Sequence, residues 1–151
     1  MDDAKYPMTG TCRCGKVRIE INDRPIVTSA CHCRGCQRMS AGAYSLTAIF
    51  PAQVFSVSAG EPVKGGAGTP GIDHFFCPDC KTWMFTRNAG MEAFVNVRPS
   101  LFDDLRWTRP FIETMAAEKL PWVETPARHS YQAFPPLEDF QRLMDEFAAS
   151  A

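Results

Sequence analysis

From Lys16 to Asn22 the chain alternates, with Val17, Ile19 and Ile21 on one side and Arg18 and Glu20 on the other. A period of two predicts a strand with one buried face. Asn22-Asp23-Arg24-Pro25 reads as a turn, and Ile26 to Ala30 as a second strand that runs into Cys31. Ser40-Ala41-Gly42 is a further turn. Tyr44 to Phe50 reads as a strand stopped by Pro51, and Val54 to Val57 as a short strand stopped near Gly60. Asp73 to Cys77, Thr82 to Thr86 and Glu92 to Val97 complete the strands, the first two facing each other across the Cys77-Pro78-Asp79-Cys80 turn. Between them, Gly60 to Gly71 holds five glycines and two prolines. That composition predicts a plain loop, with a cover that folds over a ligand as the functional alternative.

Beyond Pro99 the alternation stops. Ser100 is a candidate cap for a short turn, and Met115 to Lys119 for one helical turn before Pro121. The region near 136–148 carries the one clear helical pattern. Pro136 suits a first turn, Glu138 and Asp139 follow, and Leu137, Phe140, Leu143, Met144 and Phe147 recur at helical spacing. This stripe is expected to pack on the domain rather than on a partner. Short strands punctuated by glycine and proline, followed by one helix, predict a mainly β fold. No repeat divides the 151 residues, so 1–151 reads as a single domain.

Charge and composition narrow the function classes. A formal net charge of −1 and the lack of a strongly basic stretch argue against binding driven by nucleic-acid phosphates. No apolar run approaches the length of a membrane span, and the Met1-Asp2-Asp3-Ala4-Lys5 start lacks a signal-peptide pattern. The expectation is a cytoplasmic, reducing setting, where clustered cysteines favour metal over disulfides.

The seven cysteines are clustered: Cys12 and Cys14, then Cys31, Cys33 and Cys36, then Cys77 and Cys80. An odd count leaves a thiol over from any complete disulfide set. Cysteines buried merely as small apolar residues do not explain three tight groups. A split of four and three suits zinc: Cys12, Cys14, Cys77 and Cys80 would form a closed tetrahedral site. Cys31, Cys33 and Cys36 would hold a second ion with one position left for a water or substrate. Other partitions stay open. If Cys31 and Cys33 share a strand, they point to one face and His32 to the other, and the Arg34-Gly35 step can turn Cys36 back to them. His32, His74 and His129 lack ligand spacing and are left out of the metal set.

Gly10-x-Cys12-x-Cys14-Gly15-x-Val17, Cys31-His32-Cys33-x-x-Cys36 and Phe76-Cys77-Pro78-x-Cys80 together resemble the signature of the glutathione-dependent formaldehyde-activating enzyme family, which includes centromere protein V. The resemblance covers about residues 9–100 and weakens over about 101–151. It implies a zinc-ribbon-containing fold of the Mss4-like type. It also implies a structural zinc on Cys12, Cys14, Cys77 and Cys80, and a catalytic zinc on Cys31, Cys33 and Cys36. The implied activity is that of a carbon–sulfur lyase handling S-(hydroxymethyl)glutathione. Lys81 departs from the pattern, which often has glycine after the last cysteine.

Three thiolates make zinc a weaker Lewis acid than three histidines do, and better suited to a soft incoming ligand. A small thiol is therefore the expected partner, and the resemblance implies glutathione, adding to a small carbonyl compound or released from the adduct. Arg34 and Arg38 flank the cluster; they read first as solvated surface charge, and as carboxylate binders second. Two other functions compete with lyase chemistry: a zinc-stabilised protein-binding module, and a redox sensor that releases its metal on oxidation.

Overall fold

A computed structural model describes residues 4–150. The fold is mainly β, and its described strands form two sheets. The smaller sheet contains β1 (Met8–Thr11), β2 (Arg18–Ile21) and β5 (Phe55–Ala59), in the order β1-β2-β5. The larger is built from β3 (Val27–Cys31), β4 (Ser45–Pro51), β6 (Val63–Gly65), β7 (Ile72–Phe76), β8 (Trp83–Asn88), β9 (Phe94–Val97), β10 (Ile112–Thr114) and β11 (His129–Ser130). Its order is β11-β10-β3-β4-β9-β8-β7-β6.

The alternation of Val17, Ile19 and Ile21 turns all three into the main core, beside Phe50, Phe55, Met84, Phe85, Val95 and Val97. Cys12 and Cys77 belong to this same core, so two members of the first cysteine cluster are built into the packing, while Cys14 is exposed. A second core lies under the helix near the C-terminus, α2 (Leu137–Ala149), where Leu143 and Phe147 pack with Val27, Phe111 and Ile112. Leu143 is 1% exposed, whereas Leu137, expected in the same stripe, is 85% exposed. It is the first residue of the helix, immediately after Pro136, and stays in solvent.

Other expectations change in detail. The glycine-rich stretch after Gly60 contains an edge strand, β6, paired with β7 through Val63↔Phe76 and Gly65↔His74. Glycine is needed at its start, because Gly60 has φ +76° and a Cβ there would stand 2.6 Å from the Lys16 carbonyl. Ser100 caps nothing: it lies inside a short 3-10 turn, Pro99–Leu101, whose N-cap is Arg98 and whose first residue is proline. A second 3-10 turn, Ala116–Glu118, takes the place of the helical turn expected over Met115 to Lys119.

Two additions matter for function. A seven-residue helix, α1 (Arg34–Ser40), follows β3 directly. Strand β10 then lies parallel to β3, with Cys31 opposite Thr114. Residues near 113 thus flank the second cysteine cluster from the side opposite β4.

Candidate metal centre

The first cluster joins two turns. Cys12 follows β1, and its sulfur accepts from the Val17 N–H at 3.3 Å. Gly15, with φ +78°, bends the chain so that its N–H reaches the Cys12 carbonyl. Cys77 follows β7 in an equivalent turn, with the Lys81 N–H donating to the Cys77 carbonyl. Lys81 has φ +60°, in the left-handed region that favours glycine. The Lys81 Nζ donates to the Pro78 carbonyl. Thr82 links the two turns: its hydroxyl accepts from the Arg13 N–H and lies 3.2 Å from Cys80 Sγ.

The sulfurs of Cys12 and Cys14 are 3.6 Å apart, and those of Cys14 and Cys77 3.7 Å. Four sulfurs at about 2.3 Å from a tetrahedral ion stand about 3.8 Å from one another. The donor set is all thiol, which suits zinc and not a hard cation such as magnesium or calcium. Burial opposes charge on Cys80, but the Thr82 hydroxyl and N–H outweigh it and hold that thiol at about 5. The Lys16 N–H favours the Cys14 thiolate, yet burial and the neighbouring thiols push it up to about 11. Thiols crowded this closely cannot all ionise alone, and a divalent cation lifts that restriction.

The second cluster forms where strand becomes helix. Cys31 ends β3, Cys33 is the N-cap of α1, and Cys36 lies in its first turn, its N–H donating to Cys33 Sγ at 3.2 Å. Cys31 and Cys33 therefore do not share a strand face; the helix start is what brings the three together. All three sulfurs lie within 4.8 Å of one another. The Cys36 thiol is the main cause holding Cys31 down at about 5; burial opposes, and the Cys33 N–H and the Thr114 hydroxyl assist. Cys36 is pushed up in return, first by Cys31 and then by burial. Among the described residues, no histidine or carboxylate joins either cluster. The residues fit zinc at both places, with three protein donors at the second.

The histidines go elsewhere. His74 Nδ1 pairs with the Thr86 hydroxyl at 2.8 Å, and His129 Nε2 with Glu146 at 2.6 Å. His32 joins neither cluster and is fully buried. Its Nε2 lies 2.9 Å from Glu113 Oε2, and Glu113 also accepts from Lys119 Nζ and the Thr125 hydroxyl. Gln37 adds a second tie, donating from Nε2 to the carbonyls of His32 and Glu118. Arg34 is taken up by local contacts, its side chain donating to Gln37 and its N–H to Glu118. Arg38 is exposed.

Glu113, Gln37 and Arg98 are the neighbours that sequence reading missed. Arg98 follows β9 and is 7% exposed, with its guanidinium 4.1 Å from the centre of the Trp83 ring. A cleft of about 420 Å³ lined by Trp107, Arg109, Phe111 and Arg128 contains none of the cysteines.

A mainly β chain with a four-cysteine cluster joining two turns and a three-cysteine cluster at a strand–helix junction defines a class of zinc-ribbon-like, Mss4-like protein. The family model for "Glutathione-dependent formaldehyde-activating enzyme" matches residues 7–118, and the chain belongs to that family. The matched segment runs past residue 100 to take in β10 and the 3-10 turn that brace the second cluster. No curated protein matches the chain. A crystal structure of a Rhodobacter sphaeroides protein is similar at 22% identity and a TM-score of 0.53, covering 64% of this chain and 88% of that one; this likeness concerns the fold alone.

Proposed function

We propose that the protein binds two zinc ions and catalyses formation or cleavage of a carbon–sulfur bond between a small thiol, such as glutathione, and a small aldehyde, such as formaldehyde. The observation that carries this reading is the ligand count at the second cluster: three sulfurs within 4.8 Å, with no fourth histidine, cysteine or carboxylate beside them among the described residues. Zinc held there would supply a soft Lewis-acid position for an incoming sulfur. Cys31, Cys33 and Cys36 hold and orient that position, and Cys12, Cys14, Cys77 and Cys80 hold the fold. In the forward direction the thiol loses its proton and its sulfur bonds to the carbonyl carbon. The C=O π bond opens, and the oxygen takes a proton to give the S-hydroxymethyl product; the reverse step returns thiol and aldehyde.

The family match supports this chemistry. The test is NMR exchange between glutathione, formaldehyde and the adduct, with purified zinc-loaded protein. Exchange faster than the spontaneous reaction, lost in Cys33→Ser, is expected. Exchange at the spontaneous rate would leave a zinc-stabilised binding module as the function.

A further inference from the structure

The guanidinium of Arg98 is buried without a carboxylate partner. It is 93% removed from solvent by its 7% exposure, and its Nε has no hydrogen-bond partner. No salt bridge to an acidic side chain compensates it among the described residues. A buried cation in that state is costly unless something negative stands nearby.

The sheet shows what that is. Cys31 pairs with Ser45 on β4, and Ala48 pairs with Val97 on β9, so Arg98 sits just past β9 at the cysteine end of β3 and β4. Its N–H donates to the Met84 carbonyl, and the Trp83 ring lies against its guanidinium. On that side, the Cys36 and Cys31 thiols are the neighbours that favour its charged form. Burial lowers the guanidinium pKa to about 10, which leaves it charged at neutral pH. His74 is the other titratable group within reach of that charge, and it too is pushed toward its neutral form, by burial first and Arg98 second.

We propose that Arg98 is the fixed counter-cation of the Cys31–Cys33–Cys36 centre, and that its charge lets the fourth position accept an anionic sulfur. The charge count gives the reason. Three thiolates on a divalent ion carry one net negative charge, and an added thiolate would make two. Arg98 returns one positive charge, so the centre is neutral before the ligand enters and singly negative afterwards. Trp83 holds the guanidinium by a cation–π contact in place of a carboxylate, which would cancel the charge. Arg98 is thus a positioning residue; the second half of the proposal rests on the thiol-binding reading above.

The test compares Arg98→Gln with Arg98→Lys in the zinc-loaded protein. Chelator competition reads the affinity of each ion, and cobalt substitution followed by glutathione titration reads ligand entry by absorption. Arg98→Gln is expected to weaken the second ion about 10- to 100-fold, in the range for partners of metal ligands, while the four-cysteine ion is unchanged. It should also move the cobalt spectral change to higher glutathione. Arg98→Lys, which keeps the charge, should retain most of both. Equal affinity in wild type and Arg98→Gln overturns the proposal, as does equal loss in both variants, which would make Arg98 a packing element. If Arg98→Gln loses both ions, normal binding in Arg98→Lys still assigns the effect to charge. If wild type holds both ions but its cobalt spectrum ignores glutathione, the thiol-binding reading fails, while the second-ion affinities still decide the counter-cation role.

Discussion

Glu113 Oε2 stands 2.9 Å from His32 Nε2, and the two residues are 81 positions apart in the chain. His32 separates two candidate zinc ligands, so this contact ties the ligand-bearing loop to β10. Glu113→Leu would remove the carboxylate and leave a buried imidazole and the Lys119 ammonium without their partner. A loss of about 1–3 kcal/mol is expected, the range for leaving buried polar groups unsatisfied. Chemical denaturation at fixed free zinc measures it, and a loss below about 1 kcal/mol would mean the contact holds nothing.

The same carboxylate makes stability depend on acidity. Burial alone would raise the Glu113 pKa, but Thr125, His32, Ser130 and Lys119 together hold it at about 2. An unfolded glutamate titrates near 4.3. Its contribution is therefore complete above that value and is lost as pH falls toward about 2. The stability gap between wild type and Glu113→Gln should be widest at neutral pH and close from about pH 5 downward. Denaturation midpoints across that range give the answer; a gap independent of pH would sink the assignment.

The two cysteine clusters should respond differently to loss of one sulfur. Cys77 is fully buried in the main core, whereas the three cysteines at the strand–helix junction are only partly buried. A structural zinc contributes on the order of 10 kcal/mol to folding. Cys77→Ser is expected to abolish the fold, and Cys33→Ser to lose one ion while keeping the β-type circular dichroism. Zinc per chain by elemental analysis separates them: two ions retained in Cys33→Ser would disprove its ligand role.

Helix α2 offers an internal control on packing. Leu143→Ala should cost about 2–5 kcal/mol, because Leu143 is 1% exposed beside Phe111 and Phe147. Leu137→Ala, at 85% exposure, should change stability by less than about 0.5 kcal/mol. Equal effects would mean that α2 lies differently on the sheet.

What could be read from the chain was what the chain writes locally. Strand β2 announced itself because one face is buried and the other wet, and the cysteines because they fall in three groups whose members sit two or three residues apart. Helix α1 left no stripe, since its turns carry Cys36, Gln37 and Arg38 rather than spaced apolar residues. Strand β6 is three residues long, exposed throughout and set in a glycine-rich stretch, so no alternation marks it. Strands β10 and β11 are three and two residues long and draw their order from parallel neighbours, which leaves no period to detect. Glu113 and Arg98 were invisible for a related reason: their partners lie far along the chain, and a lone charged residue reads as surface.

The parallel pairing of β10 with β3 also orders events during synthesis. The ribosome releases Cys31, Cys33 and Cys36 early, but Glu113 follows His32 by 81 residues. At ordinary elongation rates that interval is roughly 4 to 16 s. Throughout it the nascent chain carries three clustered thiols with no clamp on their loop, whereas the four-cysteine cluster is complete as soon as Cys80 emerges. The first centre can mature on the growing chain; the second waits for the last third of the protein, and its sulfurs are open to oxidants and stray metals until then.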